Sequence, residues 1–132
     1  MLRLFREKPS MSVVDDQYGC PTNASDIAHA IVQIIHRIRR NRSISWGIYH
    51  YAGRGKTNWY GFAEKVLEIA APHDHFMLKE LHPIPTSAYP TPAKRPQNSV
   101  LDCTKIKTVF GIDTVPWEQS LRGMLERLYQ TP

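Results

Sequence analysis

The chain has 132 residues, the length of one ordinary domain, with 42% apolar and 22% charged residues; this composition excludes a largely disordered chain. A net charge of +5 points to an anionic partner or to solubility alone. The basic residues are dispersed apart from Arg37, Arg39, Arg40 and Arg42, with no interleaved aromatics, so nucleic acid is not the expected partner.

Residues 1–8 read as the end of a helix, which Pro9 stops, and residues 11–15 as a short strand carrying Val13 and Val14. Residues 17–22 form a turn by their Gly and Pro. A helix is expected over 25–41, with Ile27, Ile31, Ile34, Ile35 and Ile38 as its buried stripe and the arginines complementing its negative pole. Residues 47–52 read as a strand and 53–57 as a loop. A second helix covers 58–71, with Trp59, Phe62, Ala63, Val66 and Leu67 on its apolar side, and Pro72 ends it. A short strand is expected at 76–81 and irregular chain over 82–100. Helices follow at 102–110, with Ile106, Val109 and Phe110 inward, and at 117–129, showing Leu121, Met124, Leu125 and Leu128. No internal repeat is visible.

Cys20 and Cys103 form no CxxC pair, and no secretory leader or apolar run of membrane-spanning length is seen, so a reducing, cytoplasmic setting is expected. The loop Gly53-Arg-Gly-Lys-Thr57 falls short of a phosphate-cradling P-loop, because the glycine required five residues before Gly55 is His50. His73, Asp74, His75 and His82 are metal-ligand types without a recognised spacing, and a polar surface loop is the simpler reading. Asp15 and Asp16 are adjacent on a strand end and point to opposite faces, so they make a poor acid–base dyad. More informative is Tyr89-Pro-Thr-Pro-Ala-Lys-Arg-Pro96. Its prolines stiffen a loop that presents an aromatic ring and two cations, a low-entropy way to hold a phosphate.

Four stretches stand together in one order: SVVDDQYGCPT at 12–22, GIYHYAG at 47–53, PTSAYPTPAKRPQNSVLD at 85–102, and Pro116-Trp117 through LRGML at 121–125. In this combination the chain resembles, over nearly its whole length, the C-terminal part of the dTDP-4-dehydrorhamnose reductase family, extended short-chain dehydrogenases. The resemblance implies an α/β fold: a small mixed substrate domain, with the Rossmann nucleotide-binding half missing. It implies a single domain, 1–132, that binds a dTDP-sugar nucleotide. Ligand contacts are expected from Asp16, Gln17, Gly19, Pro21, Thr22, Tyr89, Lys94 and Arg95, with Arg95 on the diphosphate and Asn98 and Ser99 fixing its loop.

The full-length family uses NADPH or NADH to make dTDP-L-rhamnose, with a Tyr-x-x-x-Lys pair donating the proton. Here no GxGxxG-like run follows a strand, and no tyrosine begins a Tyr-x-x-x-Lys. No catalytic residue and no bound dinucleotide are therefore expected of this chain alone, which reads as inactive by itself. The magnesium carboxylates of some family members correspond to Ser25 and Arg127, so no metal is expected. In the family the strand matching 47–52 joins the edge of the Rossmann sheet; its unpaired edge here invites a homodimer. The rival readings are a non-catalytic regulatory or partner-binding module and a basic nucleic-acid-binding domain.

Overall fold

The computed structural model describes residues 1–40 and 45–130. In chain order it contains α1 (Leu2–Glu7), β1 (Ser10–Val14), β2 (Tyr18–Gly19), α2 (Ala24–Arg40), β3 (Thr57–Asn58), α3 (Trp59–Ala70), β4 (Glu80–Ile84), a 3-10 turn (Thr86–Ala88), α4 (Thr104–Phe110) and α5 (Trp117–Gln130). The strands form two small sheets, β1 parallel to β4 and β2 antiparallel to β3. The fold is thus mixed α/β, as the sequence led one to expect.

The main core joins α1, β1, α3 and α5. Phe5, fully buried, meets Val13, Ala63, Val66, Ile69, Trp117, Leu121 and Leu125. The spacing of Trp117, Leu121 and Leu125 places all three on one face of α5, which turns Met124 and Leu128 outward. Asn58 caps α3 by accepting from Gly61 N at 2.7 Å. A smaller core gathers Ala30 of α2 with Ile106, Phe110 and Ile112, and Tyr49 meets Phe110 edge-on at 5.0 Å.

Four expectations are corrected. The strand foreseen at 76–81 lies at Glu80–Ile84, partly inside the stretch expected to be irregular. Pro83 disguises it in the sequence. In this parallel ladder Glu80 N donates towards β1, so by alternation position 83 faces away and its missing N–H leaves no bond unmade. Second, Tyr18–Gly19, read as part of a turn, pairs as β2 with β3, which is Thr57, read as the loop's end, and Asn58, read as the start of the second helix.

Third, residues 47–52 form no strand, because no described residue supplies the ladder that an extended segment needs. Tyr49 and Tyr51 turn inward, while Ile48 is 78% exposed. Fourth, α2 runs where its isoleucines placed it, but its buried face is Ala30, flanked by half-buried Ile34 and Ile38. Ile27, Ile31, Val32 and Ile35 stand 39–51% exposed. The foreseen helix end at Asn41 and the arginine at 42 lie outside the described residues. No helix among those described is long and apolar enough to cross a membrane.

Candidate functional site

The turn after β1 is held by its own side chains. The Asp16 carboxylate accepts from Thr86 N at 2.9 and 3.0 Å and from the Thr86 hydroxyl; the hydroxyl bond first, then the amide, keeps Asp16 below the usual carboxylate range. Gln17 Nε2 donates to Thr86 Oγ1 at 3.0 Å. Asn58 Nδ2 donates to Asp15 O at 2.6 Å, tying the turn to the start of α3. Further on, Thr22 Oγ1 donates to Cys20 O at 2.9 Å and accepts from Gly53 N at 3.0 Å. A Cβ on Gly53 would sit 2.0 Å from Pro21 O. The glycine-rich loop at 53–57 therefore exists in part to let two backbones meet, which accounts for its likeness to a P-loop without phosphate chemistry.

Between this turn, the start of α3, the 95–99 loop and α5 lies a cavity of about 460 Å³. Of the residues singled out in the sequence, Gln17, Gly19, Pro21, Thr22 and Arg95 line it. Asp16 stands behind the wall on Thr86, and Tyr89 and Lys94 lie in the same proline-rich loop outside the lining. Sequence reasoning missed Trp59, Phe62, Trp117 and Met124, which give the cavity its apolar side. Trp59, Phe62 and Met124 had been assigned to apolar helix faces, and Trp117 was singled out only as part of the family resemblance.

Most polar groups around the cavity are already engaged. Asn23 Oδ1 accepts from Ser25 N at 2.9 Å, the Ser120 hydroxyl donates to Asp26, and Ser99 Oγ donates to Tyr18 O at 3.0 Å. Lys56 Nζ lies 4.2 Å from the centre of the Tyr18 ring. Arg95 makes no hydrogen bond or ion pair with any described residue, so its guanidinium is the uncommitted cation of the cavity. The lining contains no carboxylate and no histidine. Such a cavity can bind and orient a ligand, and it offers no carboxylate–imidazole acid–base pair.

The histidine cluster resolves structurally. Arg6 Nε donates to Asp74 at 3.0 Å, Tyr129 donates to the same oxygen at 3.0 Å, and His73 stacks on Tyr129 at 5.2 Å. His82 pairs with Glu80 at 3.2 Å. Among the described residues no group of three or more His, Cys, Asp or Glu is arranged to hold a metal.

Comparison with known proteins gives a consistent result. Residues 1–130 match the RmlD substrate binding domain. The dTDP-4-dehydrorhamnose reductase of Sinorhizobium fredii is 39% identical over 128 residues, 95% of this chain and 42% of that protein. That of Salmonella typhimurium is 39% identical over 132 residues, 99% of this chain and 44% of its own length. A solved dTDP-4-dehydrorhamnose reductase from Clostridium acetobutylicum superimposes with a TM-score of 0.83 at 28% identity, over 96% of this chain and 41% of that one. A Bacillus anthracis reductase solved in complex with NADP gives 0.80, also at 28% identity and the same coverage. The chain thus spans less than half the length of the relatives it matches.

Proposed function

The chain belongs to the RmlD substrate-binding domain family, and from that premise we propose that it holds a dTDP-sugar nucleotide for reduction in a dTDP-4-dehydrorhamnose reductase. The observation that carries this reading is the cavity itself: one uncommitted cation, Arg95, faces an apolar wall while the surrounding polar groups are tied up in fixing its shape. A guanidinium on a proline-stiffened loop suits a diphosphate, which it can grip through two parallel bonds. Gln17, Gly19, Pro21 and Thr22 shape the opposite rim. Asp16 acts behind them, locking the turn through Thr86.

NADPH or NADH would supply the hydride in an assembled reductase. The residues described here do not fit that cofactor. β1 leads into Asp15-Asp16-Gln17, a turn already bonded to Ile84, Thr86 and Asn58, instead of a glycine-rich turn opening onto a helix N-terminus. Each sheet has two strands rather than the doubly wound order such a cofactor lies across. We therefore assign no step of hydride transfer to the residues described here. A second reading, a non-catalytic module that binds a partner protein, would seat that partner on the exposed stripe of α2. Titration with dTDP separates the two: saturable binding supports the nucleotide reading, and a folded chain that takes up none overturns it.

A further inference from the structure

We infer that Trp59 is the stacking platform for the nucleobase, so that the cavity reads its ligand in two separate halves, ring on Trp59 and diphosphate on Arg95. The inference rests on the dTDP-sugar reading above and adds to it a residue that fixes which part of the ligand goes where. Trp59 opens α3, and its neighbour Asn58 is engaged in the fold, accepting from Gly61 N and donating to Asp15 O. The indole is 45% exposed, although α3 has buried positions available at Ala63, Val66, Ile69 and Ala70. A large aromatic left half in water on the wall of a cavity is an apolar face without a partner.

The same wall continues into Met124, exposed on α5, and is backed by Phe62 against Trp117 with ring centres 5.9 Å apart. Trp117 is buried, so that pair supplies a rigid floor rather than a free face. Arg95 and Pro96 lie in the loop on another wall. A sugar phosphate would use Arg95 alone. A ligand with a flat ring as well as an anion uses both walls, which is the chemistry of a nucleoside diphosphate.

Stacking of a base on an aromatic side chain is worth enough to change affinity by about 10- to 100-fold. The test titrates the full chain and two variants with dTDP, thymidine and inorganic diphosphate. Trp59→Ala is expected to weaken dTDP and thymidine about 10- to 100-fold and to leave diphosphate unchanged. Trp59→Phe, which keeps a ring, is expected to recover most of the loss. Arg95→Ala is expected to weaken dTDP and diphosphate while sparing thymidine. Equal binding of dTDP by Trp59→Ala and the unaltered chain overturns the platform alone. Parallel loss of diphosphate in Trp59→Ala also overturns it, since the residue would then be holding the cavity's shape. Failure of the unaltered chain to bind dTDP at all overturns instead the function proposed above.

Discussion

Gly53 illustrates how a residue's motif and its job can part. In the sequence it opens a Gly-Arg-Gly-Lys-Thr string that invites phosphate chemistry, yet in the fold it lets Pro21 O approach where a Cβ would clash. Asp74 is similar: a member of a histidine-rich string, it anchors Arg6 of α1 and Tyr129 of α5. The Arg6 hydrogen bond, and after it the Tyr129 hydroxyl, hold Asp74 below the usual carboxylate range. A folded-state pKa lowered in this way contributes stability above the unfolded value of about 4, and that contribution is lost as pH falls through the lower folded value. The Tm difference between the unaltered chain and Asp74→Asn is thus expected to be largest near neutral pH and to shrink below about pH 4. A difference that stays constant down to strong acid would contradict this role. Side-chain chemistry named the right residue types at both positions. Their partners lie far away in sequence, across contacts that local patterns do not encode.

Among the elements, the helices were the most legible, because a 3.6-residue apolar period is a property of neighbouring residues. α3, α4 and α5 lie within a residue or two of their expected bounds. β4 was displaced because Pro83 reads as a breaker unless one knows which way its nitrogen faces. The stripe of α2 is the instructive failure. Five isoleucines at helical spacing demand a cover, but only Ala30 and its half-buried neighbours find one within the described residues. The rest await an apolar surface, and we propose that the dinucleotide-binding part of a reductase provides it. On this basis Ile31→Asp is expected to change the stability of the isolated chain by no more than about 1 kcal/mol. Ile106→Ala, within the small core, is expected to lose about 2–5 kcal/mol. Denaturant titrations of the two variants check the contrast; a large loss for Ile31→Asp would mean that α2's outer face is already covered.

At the scale of the whole molecule, the chain matches less than half of its relatives' length and carries a cavity of about 460 Å³ lined by Arg95 and an apolar wall. The family resemblance was legible because SVVDDQYGCPT and PTSAYPTPAKRPQNSVLD are long and co-ordered; the apolar half of the cavity was not, since Trp59, Phe62, Trp117 and Met124 come from two helices that only tertiary packing brings together. Residues 47–52 join neither of the two described sheets. We propose that in the isolated chain a second copy pairs there. Sedimentation equilibrium is expected to show a concentration-dependent dimer, and a monomer at every concentration would refute the pairing.

The claim on which the rest depends is that this part of the molecule binds the nucleotide sugar and leaves the dinucleotide to another part. Calorimetric titration of the 132-residue chain with dTDP, with NADPH run alongside, tests it most directly. Saturable heat with dTDP and none with NADPH is the expected result. NADPH binding, or a folded chain silent towards dTDP, would contradict it.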